Sequence, residues 1–133
     1  MRGITTAALI AMALASTGVH AGSGKANPSG TWTITRVSTD PKAPVAALVD
    51  NDPSYFGATL TFTADAIRWD TSKTNGKGTY DGCDKPSYTK ATSAGRAVRC
   101  GSEAWGPNAT LKSAGPRTFI LQWYDGGILT LTK

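Results

Sequence analysis

The chain is 133 residues long, 40% hydrophobic and 17% charged, and its 14 basic against 9 acidic residues give a formal net charge of +5. One domain fits that length, and so modest a positive excess does not imply a nucleic-acid partner. Two cysteines and one histidine leave few routes to metal or nucleophilic chemistry.

The N-terminus reads as an export signal. Met1 and Arg2 give a short positive start, "GITTAALIAMALAST" is apolar and rich in small residues, and Val19-His20-Ala21 satisfies the small-x-small rule for cleavage. The apolar run is too short for a membrane span, which takes about 20 residues. Residues 1–21 are therefore expected to be removed, 22–29 to form a flexible leader, and 30–133 to form the folded domain. The destination is periplasmic or extracellular, and no cysteine stands near the cleavage point to carry a lipid anchor. Cleavage also removes His20. The remaining chain then lacks Ser-His-Asp and Cys-His catalysis and any Cys/His zinc site, and no metal or cofactor is expected.

From Gly30 onward the hydrophobic period is two. Trp32 and Ile34 share one face of "GTWTITRV", with threonines on the other, and Ala58, Leu60 and Phe62 repeat the device in "ATLTFT". Ile67 and Trp69 follow in "AIRWD", then Phe119, Leu121 and Trp123 in "RTFILQW", and Leu129 and Leu131 in "ILTLT". Such alternation, rich in threonine and aromatics, marks half-buried antiparallel strands whose inward residues form the core. Residues 38–57 break the rhythm with three prolines and suggest either a short helix over Val45–Val49 or a loop crossing a barrel end. Residues 71–108, rich in Gly, Ser, Thr and Lys, suggest short strands near Gly78–Tyr80, Ser87–Ala91 and Ala97–Cys100. Asp125-Gly126 predicts a type I′ hairpin, since both central residues of that turn need positive φ. The sum is seven or eight strands: an all-β antiparallel barrel, with a sandwich as the alternative. In an oxidising compartment Cys83 and Cys100 read as a disulfide, contributing about 3 kcal/mol for a loop of this size.

A glycine, one residue, then tryptophan at the head of the first strand (Gly30, Trp32) resembles the start of the lipocalin and avidin-like calycin barrels. That resemblance implies that Trp32 plugs the closed end of a barrel. The plan is also similar to the small bacterial META-type domains, through Leu60 to Phe62 in the second strand and Gly78, Tyr80 and Cys83 in mid-chain. The chain departs from both. It is short for a lipocalin, has no C-terminal helix, and carries Gly-Cys-Asp where the META pattern prefers Gly-Cys-Asn. The resemblance implies a barrel and no particular ligand.

Little in the sequence points to catalysis. The carboxylates weighed as a catalytic pair are Asp50, Asp52, Asp65, Asp70, Asp81, Asp84, Glu103 and Asp125; several, such as Asp52, Asp81 and Asp125, sit beside Gly, Pro or Asn, where Asp serves a turn, so no enzyme is expected. Asp50 and Asp52 have the spacing of a calcium loop, but Tyr55 and Thr61 stand where such a loop needs Gly and Glu. Four tryptophans suggest either rings that fill the barrel or a cavity for a small apolar ligand, as in a lipocalin-like carrier. Trp105, in the loop-like "SEAWGPN", is either a lid over the core or an exposed anchor. Lys73, Lys77, Lys85, Lys90, Arg96 and Arg99 crowd one stretch that holds only Asp81 and Asp84 as acids. This pattern makes either a solvated face or, with Trp105, a surface for an anionic envelope component or acidic protein. The functional expectation is an exported, non-catalytic binding or inhibitor-type protein, with the carrier as its alternative.

Overall fold

The computed structural model describes residues 27–43 and 47–133. The expected signal peptide and most of the leader lie outside the described residues. Asn27, Pro28 and Ser29, assigned to the leader from sequence, are fastened to the domain. Pro28 is buried, Asn27 Oδ1 accepts a hydrogen bond from Arg96 (2.6 Å), and the Ser29 carbonyl accepts from Lys133 Nζ (2.9 Å).

Ten short strands follow: β1 (Gly30–Thr39), β2 (Thr59–Phe62), β3 (Ala66–Asp70), β4 (Cys83–Asp84), β5 (Pro86–Tyr88), β6 (Arg96–Cys100), β7 (Glu103–Ala104), β8 (Thr110–Gly115), β9 (Thr118–Gln122) and β10 (Gly127–Thr132). Every pairing is antiparallel, and the path runs β4-β3-β2-β1-β10-β9-β8-β6-β5, with β7 attached to β6. The result is a nearly closed barrel. Its two end strands, β4 and β5, are separated in the chain only by Lys85, which takes φ 53. The Cys83–Cys100 disulfide links β4 to β6 across this seam, with Cα atoms 5.4 Å apart. A covalent staple at the seam limits the fraying to which an open sheet edge is prone. Among the described residues no helix is long and apolar enough to cross a membrane.

The period-two segments form β1, β2, β3, β9 and β10. Ile34, Leu60, Phe62, Ile67, Leu121, Leu129 and Leu131 are all buried, while Trp69 and Phe119 are partly buried against them. A bulge between Ile34 and Arg36 shifts the phase of β1, so that Val37 turns inward as well. Outside, threonine hydroxyls pair across strands, Thr31 with Thr61 (2.9 Å) and Thr35 with Thr132 (2.8 Å). Asp125 (φ 58) and Gly126 (φ 69) make the expected tight turn, closed by the Gly127 N–H on the Tyr124 carbonyl.

Two expectations need correction. Gly78–Tyr80 is not a strand but a crossing segment. The strand count exceeds eight, because β8 and the two-residue β4 and β7 carry too little alternation to announce themselves. Of the two alternatives for residues 38–57, the loop is found over residues 47–57, and residues 44–46 lie outside the described residues. Asp52 organises that loop: its carboxylate accepts from the Ser54 hydroxyl (2.7 Å), the Ser54 N–H (3.0 Å) and the Val49 N–H (3.1 Å). Those bonds, the Ser54 hydroxyl foremost, hold its pKa below the usual carboxylate value. Asp52 is therefore a turn-forming residue.

Candidate functional site

Two regions were candidates from sequence, the aromatic residues and the basic stretch. Trp69, Trp105 and Trp123, with Tyr55 and Tyr80, form one continuous cluster at the barrel end beside the β9–β10 turn. Trp105 packs on Trp123 (centroids 4.6 Å), Trp123 on Trp69 (5.3 Å), Trp69 on Tyr80 (5.4 Å) and Tyr80 on Tyr55 (5.6 Å). Their polar atoms converge on the chain's own segment 78–82. The indoles of Trp69 and Trp105 both donate to the Asp81 carbonyl (2.9 and 2.8 Å), and that of Trp123 donates to the Thr79 carbonyl (2.8 Å). Tyr55 Oη accepts from the Thr79 N–H (2.8 Å), and Tyr124 Oη donates to the Asp81 carboxylate (2.7 Å). Tyr80 Oη accepts from the Gly78 N–H (3.0 Å) and donates to the Ser54 carbonyl.

The crossing segment thus takes the place a ligand would have in an aromatic cage. Gly78 permits it, because a Cβ there would lie 2.9 Å from the rings of both Tyr55 and Tyr80. Trp105, offered as an exposed anchor, is only 1% exposed and belongs to the core. Its alternative role, a lid, is the one the structure contains. Among the described residues Val49 and Phe56 are the exposed large apolar ones, and both lie on the 47–57 loop.

At the other end of β1, Trp32 is 4% exposed, donates to the Ser29 carbonyl (2.9 Å) and meets Phe119 edge-on (4.9 Å). Lys133 Nζ stands 5.6 Å from its ring centroid. Gly30, at φ 83, brings the chain under that lysine.

The basic residues fall into two groups. Lys73 and Lys77 sit on the loop after β3, which is held against the 47–57 loop by the Asn75 N–H on the Pro53 carbonyl (3.0 Å). Lys85, Lys90, Arg96 and Arg99 lie within the disulfide-bracketed seam, on and around β5 and β6. Lys73, Lys77, Lys85, Lys90 and Arg99 are exposed, and Arg96 is partly buried. Arg99 reaches the Ser102 carbonyl, and the one ion pair among the described residues joins Arg68 to Asp84 at the same seam. The second group is the one that the disulfide brackets.

Two clefts flank the seam. One, of about 500 Å³, opens between Asn27–Ser29, the β2–β3 turn at Thr63–Ala64 and β5. Tyr88 lines it, and its hydroxyl oxygen is buried without a hydrogen-bond partner. Burial pushes the Tyr88 pKa up to about 12. An unfolded tyrosine ionises near pH 10, so between about 10 and 12 only the unfolded chain loses this proton, and stability falls as pH rises. Tyr88→Phe is expected to flatten that alkaline loss and to leave the neutral-pH melting temperature unchanged or raised. Urea melts at about pH 8 and about pH 11 test this; an unchanged alkaline loss in the variant would refute it. The second cleft, of about 120 Å³, lies between β8 and the hairpin ahead of β6. Lys112, on its wall, was not among the sequence candidates, because it stands alone between Leu111 and Ser113.

The fold is compatible with a calycin-like barrel. No family model, curated protein or solved structure matches the chain.

Proposed function

We propose that this is an exported, non-catalytic binding protein of a small calycin-like type. It takes an anionic envelope component through the basic seam closed by Cys83–Cys100. The observation that carries the reading is the placement of Lys85, Lys90, Arg96 and Arg99 on the short strands and turns that the disulfide brackets. Fixed scaffolding beneath exposed cations keeps their charges in register, so their summed field attracts an anion within roughly the Debye length, about 8 Å at physiological salt. The carrier alternative loses support from the aromatic cluster, whose rings pack on one another and whose polar atoms bond to segment 78–82.

A charge-reversal variant, Lys85→Glu with Lys90→Glu and Arg99→Glu, tests the reading. All three residues are exposed, so the variant keeps its fold, checked by its melting curve. Association with heparin, a soluble polyanionic glycan, is expected to slow and to lose its salt dependence. Association as fast as the parent's, with the same salt dependence, would refute the seam as the binding surface. Tryptophan emission titrated with a long-chain alcohol addresses the carrier. No saturable blue shift is expected.

A further inference from the structure

The barrel wall stays open where β5 outruns β3. Cys83 and Asp84 pair with Ile67 and Ala66 at the start of β3, and the Lys85 N–H still bonds to the Asp65 carbonyl (2.8 Å). Past Lys85 the chain continues as β5 and pairs with β6 alone. The bonds of β6 show which way β5 faces. Val98, opposite Tyr88, gives its N–H to the Ala109 carbonyl (3.2 Å) and takes the Trp105 N–H on its own carbonyl (2.9 Å), both away from β5. Its neighbours Ala97 and Arg99 therefore turn to β5, and the Ala97 carbonyl accepts from the Thr89 N–H (3.1 Å). Strand main chains alternate, so Ser87 faces β6, while the Tyr88 N–H and the carbonyls of Tyr88 and Pro86 point out of the sheet edge. No strand pairs with that side of β5.

The free edge borders the 500 Å³ cleft, whose other walls are Asn27–Ser29 and the turn at Thr63–Ala64. No charged residue lines it. Thr63 Oγ1 is already engaged with the Ala66 carbonyl and N–H (3.2 and 3.1 Å), Asn27 Oδ1 is engaged with Arg96 (2.6 Å), and the Tyr88 hydroxyl oxygen is buried. A sugar would find these side-chain groups taken. An extended peptide finds a donor and two acceptors in strand geometry. Lys85 and Lys90 stand exposed on either side of β5, five residues apart.

We infer that the cleft takes an extended segment of a partner protein, added as a strand to the edge of β5, with acidic residues at its two ends. Main-chain bonds supply affinity in this mode, and the uncharged walls admit uncharged side chains between the ends. The volume lies within the range of roughly 300–1,000 Å³ typical of ligand sites. Proline and lysine are the usual guards of an open edge. Pro86 and the two lysines discourage pairing with a second copy, which would bring the same cations, and attract an acidic strand. The inference rests on the seam reading in taking the seam cations as the flanking contacts, and it makes the envelope component a protein segment.

The test is an amide-exchange titration of the protein with the capped peptide Glu-Thr-Val-Thr-Val-Glu. The Tyr88 amide is expected to exchange with water about tenfold more slowly at saturation, the effect of one added hydrogen bond. Two further peptides carry an N-methyl group on the first valine or on the threonine after it. Because alternate strand amides face one way, one of them is expected to bind about tenfold more weakly and the other like the parent peptide. Equal losses, or unchanged exchange at Tyr88, would overturn the added strand. A peptide with lysine in place of both glutamates is expected to bind about tenfold more weakly, and equal binding would overturn the acidic ends. Heparin that slows Tyr88 exchange as the peptide does would assign the cleft to a glycan. Slowing that follows protein concentration alone would assign it to a second copy. Either result overturns the inference. The Lys85, Lys90 and Arg99 reversal separates the two proposals. Peptide protection of Tyr88 in the parent, with heparin binding untouched by the reversal, sinks the seam as a polyanion surface and keeps the added strand. Heparin binding lost on reversal, with no peptide protection in the parent, does the opposite.

Discussion

Trp105→Ala lowers the stability of the domain by about 3–5 kcal/mol, the cost of truncating a large buried aromatic. The size of this effect follows from the position of the ring. Trp105 is 1% exposed, stacks on Trp123, and donates its indole N–H to the Asp81 carbonyl, a group that also serves Trp69. Its own main chain is tied on both sides, the N–H to the Val98 carbonyl (2.9 Å) and the carbonyl to the Ala109 N–H (2.9 Å). Truncation therefore opens a cavity beneath the crossing segment that the backbone is not free to close. Trp105→Phe, which keeps much of the apolar area and forfeits the hydrogen bond, is expected to lose less. Urea unfolding of both variants measures the difference. An alanine variant that melts with the parent would mean that the ring is a surface group, as an anchor would be.

Trp32→Ala has an effect of the same order, about 3–5 kcal/mol, for a different local reason. Trp32 closes the Gly30 end of β1, with Phe119 against its edge, Lys133 over its face and its N–H on the Ser29 carbonyl. Its loss also removes one of the ties on residues 27–29, so proteolysis near Ser29 should accelerate along with the fall in stability. The Trp105 and Trp32 sites make separate sets of ring contacts, and their losses are expected to add in the double variant. Calorimetric melting at neutral pH tests the single change. A Trp32→Ala domain with parental melting would remove the structural basis for likening the Gly-x-Trp start to a calycin barrel.

Much of this barrel was legible in the sequence because its long strands are simple. In β2, β3, β9 and β10, and in β1 up to its bulge, the inward residues stand at every second position, and the alternation names both the strand and its buried face. The Cys83–Cys100 pair and the Asp125-Gly126 turn were equally plain. β8 was missed because "TLKSAG" buries Leu111 alone, which leaves no alternation to detect. Trp105 was ambiguous for a related reason. Its burial is made by Gly106, which takes φ 55 with the Trp123 ring so close that a Cβ would lie 2.8 Å from it. No periodic pattern reports such a contact. Tyr55, buried from within a loop of Asp and Pro, was hidden in the same way. At the candidate sites, the charge of the basic stretch was visible and its division into two groups was not. Lys112 becomes part of a pocket only through the pairing of β6 with β8.

A shift map of amide and indole resonances on addition of heparin separates function on the surface of a barrel filled by its own chain from function inside it. Perturbations are expected to stay within the seam between Lys85 and Arg99 and neighbouring β8, with the indole N–H signals of Trp69, Trp105 and Trp123 unmoved. Indole signals that shift with the ligand, while the seam amides stay in place, would contradict it.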